Sequence, residues 1–359
     1  MIIRSTVQEI NDYINSSAIN QSKLKLLMVG ADAFKEVKEP DLFFEEKEHF
    51  VIGKAVDDFI TMGEEYFNQS YYISSNSKPS ALIMSIVQQV FQSRSNDDWF
   101  EQDLEPAIDA HSYQPNWKPE TRIKKVSEEG EQYWSELVQS EGKQVLSVEQ
   151  DMKVKQIINQ LLTHKYTKEL FEDEEGVETY YQLPIYFEVE GVSCKALLDM
   201  VKVDHNTEEI YAYDIKTIGD YTKNFDKQCL KRRYDIQASW YMEALIQWMD
   251  NNFPNYTLSP ISFIVASTTK DCSPLEFVTD VNFINVGKFG MNFLHEYEIT
   301  YRDKPIEEEL ESIVKESRVK GWLDLLEDYK WYEENGWDED KEVTQANGVF
   351  FIGSDFSKF

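Results

Sequence analysis

The chain has 359 residues, 42% hydrophobic and 14% aromatic, enough to bury a large core and too apolar for a disordered chain. Its 66 acidic and 36 basic residues give a formal charge of −30, which sets the surface against any polyanion unless basic residues gather locally. The start, MIIRSTVQEINDYINSS, lacks the apolar run of a secretory leader, and no stretch approaches the ~20 apolar residues that span a membrane, so the expectation is a soluble, cytoplasmic protein with no membrane role.

In chain order, Ser22-Lys-Leu-Lys-Leu-Leu27 lies on a short amphipathic pattern, and Phe50 to Ile60 begins a helix. Ser80 to Ser93 predicts another, followed by a loop-like run holding Pro106, Pro115 and Pro119. Helices are expected at 123–140 and 147–171. From Thr179 the period changes to two. Tyr180 to Glu190 and Ser193 to Val203 read as strands separated by Gly191, and Glu208 to Thr217 as a third. A helix from Lys227 to Asn251, strands at Ile261 to Ser267 and Leu275 to Asp280, and a helical acidic tail from 287 complete the pattern. No internal repeat or flexible linker interrupts it. The reading is one domain over 1–286, with a helical part at 1–175 and a sheet core at 176–286, plus an acidic helical extension over 287–359.

Cys194, Cys229 and Cys272 lie far apart with no metal-ligand spacing and suit a reducing compartment. Charge is unevenly spread. Between Lys216 and Arg233 stand six basic residues (Lys216, Lys223, Lys227, Lys231, Arg232, Arg233) against only Asp220 and Asp226. From Asp303 to Glu342 the balance reverses, with fifteen acidic residues and six basic ones. One local segment can therefore meet phosphates while the remainder stays acidic.

The densest chemistry lies between Cys194 and Thr217. Two apolar runs flank the polar turn Asp204-His-Asn-Thr207, a hairpin signature. Asp214 and Lys216 alternate on one strand and so share a face. A loop of two or four residues centred on His205-Asn206 sets Asp199 opposite Ala212, diagonal to Asp214 and on its face; an odd loop sets the two carboxylates on opposite faces. Two carboxylates and a lysine within apolar strands cost several kcal/mol to bury unless they compensate one another or hold a metal. Hard oxygen donors suit Mg²⁺ or Mn²⁺, and a lysine beside them can orient or deprotonate a water. By itself the spacing fits an exposed hairpin with an Asp–Lys pair on its solvent face equally well.

Gln237 and Tyr241 are four apart on the following helix and share a face. The order strand-Asp, strand-Asp-x-Lys, helix Gln-x-x-x-Tyr is the pattern of the PD-(D/E)xK nuclease superfamily, and the chain resembles its RecB-like members. The RecE (exonuclease VIII) and lambda-exonuclease type of phage recombination exonuclease is especially similar. Ser22-Lys-Leu24 resembles that family's early Ser-x-Leu segment, and Gly53-Lys-Ala55-Val-Asp57 its Gly-x-Ala-x-His motif, with aspartate where histidine is usual.

The resemblance implies an α/β fold, with a central mixed sheet flanked by helices as in restriction endonucleases. It implies a Mg²⁺ (or Mn²⁺) site at Asp199, Asp214 and Asp57, with Asp58 the fallback for the last. Lys216 would act on the attacking water, and Gln237 and Tyr241 would position the strand or brace the site. Lys223, Lys227, Lys231, Arg232 and Arg233 would hold DNA. The implied activity is 5′-to-3′ digestion of double-stranded ends, supplying single strands to an annealing protein in recombination. A ring-shaped homo-oligomer in a bacterial cell, encoded by a phage, is implied as well. The family's glutamate on the preceding strand appears as Gln182, with Glu178 and Glu188 nearby. That neutral residue leaves two alternatives open: a DNA-end-binding scaffold that kept the fold, or a structure-specific endonuclease.

Overall fold

The computed structural model describes residues 1–35, 48–74, 78–94, 97, 103–298, 312–338, 341 and 345. The chain forms two compact units, Met1–Glu46 with Gln160–Phe359, and Lys47–Asn159.

The first unit begins with β1 (Ile2–Arg4), α1 (Val7–Asn15), α2 (Gln21–Leu24), a 3₁₀ turn over Lys25–Met28, and α3 (Ala31–Lys35). Thr6 and Glu9 form a reciprocal capping box that starts α1.

The second unit holds α4 (Glu48–Met62), α5 (Glu64–Ser70), β2 (Tyr71–Ser74), α6 (Ala81–Ser93), α7 (Leu104–Ala110), α8 (Pro119–Gln139), β3 (Gln144–Ser147) and most of α9 (Val148–Thr163). On α6 the residues Ile83, Ile86, Val87, Val90 and Phe91 recur at three- and four-residue steps, and they pack with Leu104, Ile108, Val126 and Trp134 into one core. Two prolines expected in a loop lie in helices instead. Pro119 is the first residue of α8 and Pro106 lies in the first turn of α7, where backbone N–H groups have no helical acceptor to lose. The sequence reading also missed β2 and β3, a short parallel pair.

Back in the first unit, the helix expected to run to 171 ends at Thr163, and α10 (Lys168–Phe171) follows. The three expected strands are β4 (Val177–Val189), β5 (Val192–Asp204) and β6 (Glu209–Ile218). Glu190 and Gly191 join β4 to β5 with φ of 49° and 81°, the left-handed pair of a tight two-residue hairpin. The helix expected over 227–251 is two: α11 (Phe225–Arg232) and α12 (Tyr234–Asn252), broken where Arg233 turns left-handed at φ 53°. Then come β7 (Thr257–Leu258), β8 (Ser262–Ser267), β9 (Leu275–Val278) and α13 (Val281–Phe289).

The sheet runs β1-β4-β5-β6-β8-β9, with β7 also on β6. It is mixed: β4, β5 and β6 are antiparallel in turn, while β1 pairs β4 and β8 pairs β6 in parallel. The parallel step from β6 to β8 needs a crossover, which α11 and α12 supply. Helix α12 buries Asp235 through Tyr241 without a break and joins the core of the sheet with Trp240, Ala244 and Leu245. The α/β expectation of a mixed sheet flanked by helices holds.

The tail corrects the helical reading. After Gly290 come β10 (Met291–Glu298) and β11 (Ser312–Val319), an antiparallel pair, and only then α14 (Trp322–Asn335). The acidic count drew attention from the two-residue alternation in this segment. Helix α14 is core: Trp322, Leu325, Leu326 and Tyr332 share the apolar cluster of the sheet and α12. Among the described residues no helix is long and apolar enough to cross a membrane.

Candidate active site

Sheet alternation is interrupted along one row. On β5 the core takes Cys194, Ala196 and Leu198, and then Val201 and Val203, so the facing parity switches between Leu198 and Val201. On β4 the pairs Tyr181 with Met200 and Leu183 with Leu198 leave Gln182 opposite Asp199, and Gln182 is the residue with φ 52°. The β5–β6 ladder runs from Asp204 with Glu209 to Met200 with Tyr213, and its continuation sets Asp199 opposite Asp214. There the Asp199 carboxylate replaces a ladder carbonyl, accepting the Ile215 N–H at 2.8 Å. Gln182, Asp199 and Asp214 thus occupy one row across three strands.

The hairpin loop is even, as the shared face requires, but it is centred one residue later than expected. It spans 205–208, so Ala212 faces Val201 and the aspartates are direct rather than diagonal neighbours. The side chain of Asp204 sets this turn, accepting from the Asn206 N–H at 2.8 Å and the Thr207 hydroxyl at 2.9 Å. Glu208 takes the left-handed conformation (φ 56°) that closes it.

Asp214 is 1% exposed. Its Oδ1 accepts from Gln237 Nε2 at 2.9 Å, and the same amide donates to the Tyr241 hydroxyl oxygen at 3.0 Å. Its Oδ2 is ion-paired with Lys216. The four residues are therefore joined: β6 carries the pair and α12 carries the brace. Burial pushes the Asp214 carboxyl up, and Lys216 beside it offsets part of the effect. Burial alone would lower Lys216, but Asp214 and Asp199 together hold it above the ordinary lysine value. It therefore sits as a cation. Burial first, then Asp214 and Asp199, raise the Tyr241 hydroxyl well above its usual range, so it keeps its proton.

Lys25, which the sequence reading passed over, reaches the same place from the 3₁₀ turn after α2. Burial, then the charges of Lys216 and Arg233, push it down to about 8, with Asp235 and Asp214 acting against them. Its only sequence signal was its position one residue beyond the Ser22-x-Leu24 segment.

Other expected residues have different surroundings. Arg233 grips the buried Asp235 with three contacts of 2.8–3.2 Å and donates to the Lys320 carbonyl at 2.8 Å, so its guanidinium is held within the fold. Lys223, Lys227, Lys231 and Arg232 are exposed, on α11 and the turn before it. Glu178 contacts Tyr180 and His205, and Glu188 exchanges backbone bonds with Gln247, so neither joins the row of Asp199. Asp57 lies on α4 in the second unit, and its metal role stays with the expectation drawn from the resemblance. Asp58 accepts from Lys54 and Tyr71, each at 2.6 Å.

Among the described residues no three His, Cys, Asp or Glu side chains gather as a metal-holding group. Two facing carboxylates fit one kind of occupant. Magnesium commonly takes one or two carboxylates and fills its other positions with water and phosphate oxygens. The donor chemistry of Asp199 and Asp214 suits such a cation.

No family model matches the chain, and no curated protein is similar to it in sequence. Among solved structures, the crystal structure of an exonuclease candidate from Eubacterium rectale is similar over 79% of this chain and 80% of that one, at 12% identity and a TM-score of 0.41. At that distance the likeness bears on neither residues nor chemistry.

Proposed function

We propose that the protein is a metal-dependent nuclease hydrolysing DNA phosphodiesters at Asp199, Asp214 and Lys216. The observation carrying this reading is the buried Asp214, paired with Lys216, fixed by Gln237 and set opposite Asp199. Breaking a buried charge pair is costly, and replacing it with apolar residues is often neutral or stabilising, so packing alone gives little reason for it. A divalent cation at the two carboxylates would supply Lewis-acid activation and offset charge on the phosphate. Asp199 and Asp214 orient their oxygens toward one point, Gln237 keeps Asp214 from rotating, and Lys216 presents a cation to the attacking water or the scissile phosphate. Tyr241 fixes Gln237 and, staying neutral, adds no charge.

The finer proposal follows the sequence resemblance: a 5′-to-3′ exonuclease on double-stranded ends, working in a ring of subunits and feeding single strands to an annealing protein. The charge balance supports the ring, because a chain of −30 with one exposed basic stretch gains a channel by gathering several stretches. Gln182 favours a second reading, an end-binding scaffold with a weak site, since a neutral amide stands in line with the two aspartates.

Incubating 5′- and 3′-labelled linear duplex and closed circular DNA with Mg²⁺ or with EDTA separates these. The nuclease reading expects metal-dependent products and, for an exonuclease, intact circles. DNA left whole under every metal condition refutes the nuclease.

A further inference from the structure

The structure assigns a second nucleic-acid contact beyond the carboxylate row. We propose that Tyr221, with Lys223 and Lys270, stacks a base of an unpaired DNA strand while the two lysines meet its flanking phosphates. This rests on the nuclease reading and names the form of DNA the site would grip.

Tyr221 follows β6, five positions beyond Lys216, and is 47% exposed. Among the described residues no other aromatic ring packs on it. Its neighbours are instead two cations: the Lys270 ammonium lies 5.5 Å from the ring centroid and that of Lys223 lies 5.9 Å away. Neither lysine forms an ion pair with a described residue. Two ammonium groups converge on one exposed ring in a chain whose acidic residues exceed its basic ones by 30.

The ring stands on a braced platform. The Thr222 hydroxyl donates to the Ser273 carbonyl at 2.8 Å, and the Thr269 hydroxyl to the Gly219 carbonyl at 3.0 Å, tying the loops after β6 and β8 together. The backbone N–H of Thr268 donates to the Ile218 carbonyl at 2.8 Å. Asp220 holds the Tyr221 N–H at 2.7 Å and Asn224 at 3.1 Å. A rigidly mounted aromatic face loses little entropy on stacking a base, and every base offers a face, so such contacts tolerate sequence. The lysines lie near the outer limit of a cation–π contact, so their flexible stems can swing from the ring to phosphates.

The test uses the full chain in EDTA, so that no strand is cut. Fluorescence anisotropy measures binding to an oligo(dT) strand and to an abasic strand of equal length. Tyr221→Ala is expected to weaken oligo(dT) binding by roughly 5- to 100-fold and to leave the abasic strand within twofold. Tyr221→Phe, which keeps the ring, is expected to bind oligo(dT) as the parent does. Lys270→Ala is expected to flatten the salt dependence by about 0.7 of a slope unit. Equal oligo(dT) affinity for the parent and Tyr221→Ala overturns the platform, and a parent that still cuts DNA then leaves the nuclease reading standing. Parent protein that neither binds oligo(dT) nor cuts DNA overturns both.

Discussion

Gln237 on α12 donates one amide hydrogen to Asp214 at 2.9 Å and another to Tyr241 at 3.0 Å, so a single side chain ties the helix to the buried carboxylate of β6. Gln237→Leu removes the donor and leaves an unsatisfied buried oxygen. The expected loss of stability is about 1–3 kcal/mol, with a larger proportional loss of cleavage because Asp214 is free to rotate. Tyr241→Phe should cost less on both counts. Thermal melts and single-turnover cleavage check this. A Gln237→Leu protein that cuts at the parental rate would remove the brace from the mechanism.

Asp214→Asn is expected to reduce cleavage to background. It should also lower stability by about 1–3 kcal/mol, since Lys216 then keeps only Asp199 as a facing carboxylate. Denaturant unfolding and nuclease rates measured on the same preparation separate the two effects. Equal rates for parent and variant would sink the site.

Lys216→Ala should lower turnover of bound DNA more than affinity, because its ammonium is fixed at the carboxylates rather than on the surface. The reverse outcome, lost affinity with unchanged turnover, would make Lys216 a phosphate contact only.

The basic stretch divides by its surroundings. Alanine at Lys227, Lys231 or Arg232 should each flatten the salt dependence of duplex binding by about one unit of slope while stability holds. Arg233→Ala should instead destabilise the fold by roughly 3–5 kcal/mol, since it strands the buried Asp235. Binding titrations across salt, with melts alongside, distinguish the classes. An Arg233→Ala protein as stable as the parent would refute the division.

Gly287 of α13 packs against α12 so closely that a Cβ there would overlap the backbone carbonyl of Asp235. Gly287→Ala is therefore expected to cost about 1–3 kcal/mol and to reduce cleavage, since α12 carries Gln237 two residues beyond the contact. An unchanged melting temperature would show that the helices separate freely.

Strands β4, β5 and β6 were legible because alternation and polar turns are local properties. The union of Asp214, Lys216, Gln237 and Tyr241 was legible for a related reason, since a strand and a helix with known periods fix which residues share a face. The pairing of Asp199 was displaced by two positions because it depends on where the turn is centred. That is decided by Asp204 bonding Asn206 and Thr207 rather than by the apolar pattern. Two other features were hidden by non-local causes. The row switch at Gln182 and Asp199 depends on a left-handed residue within a strand, and Lys25 approaches from a segment distant in sequence. The tail was misread because charge was weighed above period.

The apolar cluster that joins Ile19, Leu24 and Leu27 to Trp322, Leu325 and Tyr332 also bears on how the chain is made. During synthesis the earliest of these residues must wait, their surfaces uncovered, until α14 has left the ribosome. By then every residue of the carboxylate row has long been in place. A chain halted before Trp322 would expose the Trp240 ring that Trp322 meets edge-on at 5.3 Å, and would lack the indole N–H bonded to Ser239 at 2.9 Å. Such nascent chains should be degraded quickly, and pulse-labelled truncations ending at residue 318 and at residue 345 should differ sharply in lifetime. Activity would then switch on late and all at once, which restrains a nuclease until its last core helix has emerged.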